Sequence, residues 1–124
     1  METGAPARVT IVDDDPVLAD LLVRYIGVLG FPASRVDPHD AERIATSIVA
    51  SDASVVLLDI DLGDTSGFDV VRFLRKLGYV GMIVAMTGLA FHEKVGQGRL
   101  REFNGYWRKP VDPDQIKEFL HAVS

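Results

Sequence analysis

The chain has 124 residues, 48% of them hydrophobic, which suits one compact domain with a real core and argues against wholesale disorder. A net charge of -5 argues against a nucleic-acid-binding surface, which needs a basic stripe to neutralise phosphates. With no cysteine, disulfide frameworks, thiolate zinc sites and cysteine nucleophiles are excluded. The first residues, Met1 to Ala7, lack the basic-then-apolar pattern of a signal peptide, and no apolar run approaches the roughly 18 residues of a membrane span. The expectation is a soluble cytoplasmic protein that binds no membrane, with residues 1–7 a loose tail and 8–124 one domain.

The first predicted strand is Arg8 to Val12, rich in β-branched residues and stopped by Asp13, Asp14 and Asp15. Asp15-Pro16 reads as a helix start, because Asp caps free backbone N–H groups and Pro suits the first helical position. Val17, Leu18, Leu21, Leu22, Tyr25, Ile26 and Leu29 follow at helical spacing and read as one buried face, ended by Gly30. A short second strand lies near Ala33 to Val36. Pro38 then opens a helix with Ala41, Ile44, Ala45, Ile48 and Val49 on one side.

The third strand, Val55 to Leu58, is a continuous apolar run, as expected of a strand covered on both faces of a parallel sheet. It ends at Asp59. A loop from Ile60 to Ser66 leads through Gly67 into a helix with Phe68, Val71, Leu74 and Leu77 inward. The fourth strand, Met82 to Met86, ends at Thr87-Gly88. A helix is expected over Leu89 to Glu102, although Gly96 and Gly98 within it cost about 2 kcal/mol of helix propensity relative to alanine. That predicts a short or loose helix. The fifth strand is Tyr106 to Arg108, followed by Lys109-Pro110. A last helix presents Ile116, Phe119, Leu120 and Val123.

Five strand–helix units in this length predict an α/β fold: a doubly wound (βα)5 domain with a five-stranded parallel sheet, in the flavodoxin-like strand order 2-1-3-4-5. Ligands of such sheets bind beyond the carboxyl ends of the strands. The first strand delivers Asp13, Asp14 and Asp15 there, the third Asp59 with Asp61 close behind, the fourth Thr87 and the fifth Lys109. Two unit charges 4 Å apart repel by about 4 kcal/mol at an effective dielectric near 20. Such a gathering of acids therefore needs protonation or a cation, and a hard divalent ion suits it. Each residue alone has a bland reading as a helix cap, turn residue, strand exit or surface charge. Their convergence on one rim is what points to phosphoryl chemistry, with Asp59 the nucleophile, Lys109 a cationic donor and Thr87 a hydroxyl donor.

The sequence resembles the response-regulator receiver family over Arg8 to Ser124. The resemblance rests on Val9-Thr10-Ile11-Val12-Asp13-Asp14-Asp15-Pro16, on Val55 to Phe68 around Asp59, on Ile83-Val84-Ala85-Met86-Thr87-Gly88 and on Gly105-Tyr106-Trp107-Arg108-Lys109-Pro110, in order and at family-like spacing. It implies that Asp59 is the phosphoacceptor. Asp14 would be a direct ligand of Mg²⁺ or Mn²⁺, with Asp13 supporting it and the backbone carbonyl of Asp61 completing the set. Lys109 would pair with phosphoryl oxygens. Thr87 and Tyr106 would be switch residues that alter the face made by the fourth helix, fifth strand and last helix. The Lys109-Pro110 bond would be cis. The donor would be a sensor histidine kinase or phosphotransfer protein, and the signal would pass to a downstream protein.

The chain would catalyse only its own phosphorylation and dephosphorylation, either as a stand-alone regulator or as part of a larger one. Leu62-Gly63 and Trp107 depart from the commonest family pattern, and Asp61 places an extra carboxylate near the expected cation. A phosphatase of the haloacid dehalogenase type shares the Asp59-Ile60-Asp61 pattern, but its second acidic pair lies downstream, unlike Asp13-Asp14. A phosphorylation-independent receiver would lack key residues that this sequence keeps. No phosphate loop of the flavodoxin or P-loop kind is present.

Overall fold

A computed structural model describes residues 6–88 and 102–124. The main sheet is formed by β1 (Val9–Val12), β2 (Ala33–Val36), β3 (Val55–Asp59), β6 (Met82–Thr87) and β7 (Gly105–Arg108). Its order is β2-β1-β3-β6-β7 and every pairing is parallel, as the strand–helix alternation predicts. The helices are α1 (Pro16–Val28), α2 (Ala41–Ala50), α3 (Gly67–Lys76) and α4 (Pro113–Val123). The helix expected around Gly96 and Gly98 lies outside the described residues, apart from its last residue, Glu102.

Strand side chains alternate between two cores. From β3, Val56 and Leu58 join Ile44, Ile48, Val71 and Leu74 under α2 and α3. Val55 and Leu57 join Leu22, Ile26, Ile116 and Leu120 under α1 and α4. All four of these β3 side chains are buried. Burial of one such side chain contributes about 1.5–3 kcal/mol, so the central strand is held firmly from both sides. Its end, Asp59, is held with it.

The helix ends follow local chemistry. The Asp15 side chain accepts from the backbone N–H of Val17 and Leu18, with Pro16 opening α1. Gly30 turns the chain after α1 at φ +100°, a conformation that β-carbons disfavour. The second helix begins at Ala41 rather than Pro38, because Asp40 provides the cap by accepting from Arg43 N–H.

Some apolar residues expected to face inward face out. Val17 and Leu21 are 77% and 60% exposed, and Leu77, at the end of α3, and Val49 are also exposed. At about 100° per residue, Val17, Leu21 and Val28 lie roughly 100–140° around α1 from Leu22. They form a second stripe, too far round to reach the sheet.

Two short strands, β4 (Asp61–Leu62) and β5 (Thr65–Ser66), pair antiparallel within the loop after β3. They return the chain so that Gly67 N–H donates to Ile60 C=O at 2.8 Å. A β-carbon on Gly67 would lie 2.7 Å from the carbonyl oxygen of Asp59 and 2.9 Å from Cα of Ile60. Gly67→Ala must therefore push the backbone at Asp59 aside, with an expected stability loss of about 1–3 kcal/mol by urea unfolding.

Candidate functional site

Above the carboxyl ends of β1 and β3, where the connections leave in opposite directions, the sheet has its topological switch point. Asp13 and Asp14 follow β1 directly, and Asp59 is the last residue of β3. Carboxylate oxygens of Asp13, Asp14 and Asp59 lie within 4.8 Å of one another. Asp13 and Asp59 are each only 3% exposed, whereas Asp14 faces solvent.

Lys109 reaches this cluster from the edge strand. Its backbone N–H donates to Thr87 C=O at 2.7 Å, which fixes the start of the β7–α4 connection against the end of β6. The Lys109–Pro110 bond is cis, as the family resemblance implied. Lys109 Nζ lies 2.7 Å from Asp13 Oδ2 and 3.0 Å from Asp59 Oδ2. The remaining oxygens of the two buried acids are used locally: Asp15 N–H donates to Asp13 Oδ1 at 2.9 Å, and Asp61 N–H to Asp59 Oδ1 at 3.0 Å.

These contacts shape the charges. Burial pushes the Asp59 carboxyl up to about 6, against the hydrogen bond and charge of Lys109 and the hydrogen bond from Asp61 N–H, with the Asp13 charge pushing further up. Burial also works against the Lys109 ammonium, but attraction to Asp13 and Asp59 outweighs it and raises its pKa. When ionised, three carboxylates face one ammonium among the described residues, an excess of two negative charges. A divalent cation matches that deficit, and hard oxygen donors are what Mg²⁺ or Mn²⁺ takes. The donor set therefore fits the cation that the family resemblance implies.

The other residues singled out in the sequence stand around this cluster. Thr87 ends β6 and is buried at the same rim. Asp61 is adjacent through its amide. Its side chain is exposed and accepts from Gly63 N–H at 3.4 Å, and the cluster of close carboxylates consists of Asp13, Asp14 and Asp59. Tyr106, on β7, is 44% exposed and stands outside the cluster.

One feature of the surroundings escaped the sequence reading. Leu18, Leu22, Tyr25, Pro110, Val111 and Ile116 help to line an apolar groove of about 630 Å³ between α1 and the β7–α4 connection, with Lys109 also in its wall. Tyr25 Oη closes one side by donating to Pro113 C=O at 2.8 Å. Leu21 of the outward stripe also lines this groove, and Val17 and Val28 share α1 with it. Its signal was there to find: the apolar positions of α1 span too wide an arc for one buried face.

Residues 9–121 match the family model described as "Response regulator receiver domain". The chain belongs to that family. Among curated relatives, it is 23% identical over 124 residues to the nitrate/nitrite response regulator protein NarL of Escherichia coli, an alignment covering all of this chain and 57% of NarL. It is 28% identical over 116 residues to the cell cycle response regulator CtrA of Brucella ovis, covering 94% of this chain and 49% of CtrA. The chain thus spans about half the length of these relatives. A response regulator receiver domain (CheY-like) from Methylobacillus flagellatus superimposes with a TM-score of 0.82 at 25% identity, covering 97% of this chain and all of that one. Response regulator TrrA of Thermotoga maritima, solved in complex with Mg²⁺-BeF, gives 0.79 at 21% identity, covering 95% of this chain and 99% of TrrA; at that identity the likeness shows the fold alone.

The raised pKa makes a stability prediction for this receiver domain. A carboxyl raised from 3.8 to about 6 favours the folded state when protonated. The associated stability is complete below the unfolded value and is lost as pH rises through 6. Asp59→Asn should therefore be more stable than wild type by about 1–2 kcal/mol above pH 7, with the gap closing as pH falls from 6 towards 4. Urea unfolding of both proteins across that range, without divalent cations, measures it.

Proposed function

We propose that this receiver domain accepts a phosphoryl group on Asp59 from a phosphohistidine, and that the product biases a switch read by a downstream protein. The observation that carries the reading is the bridge from Lys109 to Asp13 and Asp59 beside the exposed carboxylate of Asp14. An oxygen of the Asp59 carboxylate attacks phosphorus, the P–N bond to the donor imidazole breaks, and the imidazole leaves with the electron pair and takes a proton from solvent. An acyl phosphate and a free histidine result.

Lys109 holds oxygens of the transferred group in this reading, and buried Thr87 offers its hydroxyl from the next strand. Asp13, Asp14, Asp59 and the backbone carbonyl of Asp61 are the proposed holders of Mg²⁺ or Mn²⁺. Such an ion, when bound, neutralises charge that develops on the transferring group. Asp13 stays engaged with Lys109, so the exposed Asp14 is the residue free to approach the ion most directly.

The chain acts as a phosphoacceptor rather than as an enzyme with a separate substrate. Thr87 and the half-exposed Tyr106 are the proposed switch pair: Thr87 moves toward the phosphoryl group and Tyr106 turns inward behind it, altering the surface around β7 and α4. The donor is a sensor histidine kinase or phosphotransfer protein acting in the cytoplasm. Among the described residues no helix is long and apolar enough to cross a membrane. The stripe and groove on α1, beside Lys109-Pro110, support a protein donor that brings an apolar helical surface to the rim.

Incubation with acetyl phosphate and MgCl₂ should add one phosphoryl group by mass spectrometry, with none on Asp59→Asn or in excess EDTA. Lys109→Ala should still take label, more slowly, while losing the accompanying change in hydrogen exchange along β7. Unlabelled, folded wild-type protein would refute the function proposed. Leu21→Glu should cut transfer from a purified phosphorylated histidine-phosphotransfer protein by about tenfold or more, equivalent to about 1.4 kcal/mol, while labelling by acetyl phosphate stays within about twofold.

A further inference from the structure

Among the three clustered carboxylates, Asp14 alone is exposed, so packing does little to place it. Its position is set by the chain on either side. Upstream, Asp13 is fixed by Lys109 and by Asp15 N–H. Downstream, the chain enters the first turn of α1 at Pro16.

Arg35, on the edge strand β2, lies against that turn. Its Nη1 donates to Pro16 C=O at 3.3 Å, and its Nε stands 3.4 Å from Asp20 Oδ1, one turn along the helix. Its Nη2 faces Asp37 Oδ1 at 3.6 Å, just beyond its own strand. One planar guanidinium thus holds two points a turn apart at the start of α1, Pro16 and Asp20, against the end of β2. A lysine would keep the charge but could not match this fork.

We propose that Arg35 is a positioning residue for the cation-binding carboxylate Asp14, acting by clamping the start of α1 to β2. This rests on the reading that the acidic cluster takes a divalent cation. Two effects of Arg35 on that cation have opposite sign. Its positive charge weakens binding, so electrostatics alone makes removal of the charge tighten affinity. The clamp limits the wandering of Asp14, so its loss weakens affinity. The three contacts share one rigid group and bear on a ligand two residues from Pro16, whereas the charge is already engaged by Asp20 and Asp37. The clamp therefore dominates.

Titration with MgCl₂ at fixed ionic strength, followed by the fluorescence of Trp107, the single tryptophan, and by calorimetry, tests this. Arg35→Lys and Arg35→Gln should each weaken Mg²⁺ affinity by about threefold to tenfold, below the 10–100-fold typical of groups bonded directly to a ligand. Hydrogen exchange at Val17 and Leu18 should rise in both. Arg24→Gln, another charge removed from the exposed side of α1, should lack this loss.

Unchanged Mg²⁺ affinity in both Arg35 variants would overturn the assignment, as would tighter binding in Arg35→Gln with none lost in Arg35→Lys, which is the mark of a pure charge effect. A lower melting temperature with unaltered Mg²⁺ affinity would reduce Arg35 to a structural residue and equally overturn it. Wild type that binds no Mg²⁺ would instead refute the cation reading itself, so the two failures are distinguishable.

Discussion

Among the described residues, two buried carboxylates, Asp13 and Asp59, share a single ammonium, and the rim they form is organised around that shortage of positive charge. Burying ions is costly unless they are paired and their remaining lone pairs are used. Here pairing is incomplete by design of the topology: β1 and β3, adjacent in the sheet, both end in acids, while one lysine arrives from the far edge. The local amides of Asp15 and Asp61 take up one oxygen of each acid. What is left is an electrostatic deficit that an incoming cation can relieve.

The rest of the fold serves to keep that deficit in register. β3 is buried along its whole length between two cores, and Asp59 is its last residue. The register of β6 with β7 places Thr87 opposite Arg108, so that Lys109 leaves the sheet one residue later beside the same rim. The Thr87–Lys109 backbone bond ties those two ends together. Gly67 allows α3 to start almost in contact with the Asp59 backbone, closing the acidic loop over its own short hairpin. None of these contacts is chemical in itself. Each removes a freedom that would let Lys109 and Asp59 drift apart.

The features readable in the sequence were those with a local physical cause. The apolar run Val55 to Leu58, the cap Asp15-Pro16 and the β-branched Val9 to Val12 each state their structure without help from distant residues. The meeting of Asp13, Asp59 and Lys109 was readable only after strand alternation had been turned into a sheet, since nothing local links a lysine to an aspartate 50 positions earlier. The paired strands β4 and β5 are two residues each, too short for any periodicity to register. Helical spacing alone assigns Val17 and Leu21 to the buried face of α1, because apolar character does not by itself distinguish a buried from an exposed position. Val17 and Leu21 are apolar yet lie outside the core, and only the position of the helix on the sheet separates the two stripes. The extra carboxylate of Asp61 is near in sequence, but its side chain turns toward Gly63 instead of joining the other three.

That second stripe also bears on how chemistry and recognition are divided. On the proposed function, a small phosphodonor would need only the rim, whereas a protein donor would have to bring a bulky histidine within bonding distance of Asp59 and hold it there. Orientation of that kind is supplied by contacts remote from the reacting atoms. The groove between α1 and the β7–α4 connection has Lys109 in its own wall, so a partner seated on the apolar surface is aligned by the same segment that carries the ammonium. The face on which Tyr106 lies belongs to the other side of β7. On the proposed function, donor recognition and signal output would use different surfaces of one edge strand, joined through Lys109 and Thr87, and a phosphoryl group arriving between those two residues would be felt on the output side without the donor having to touch it.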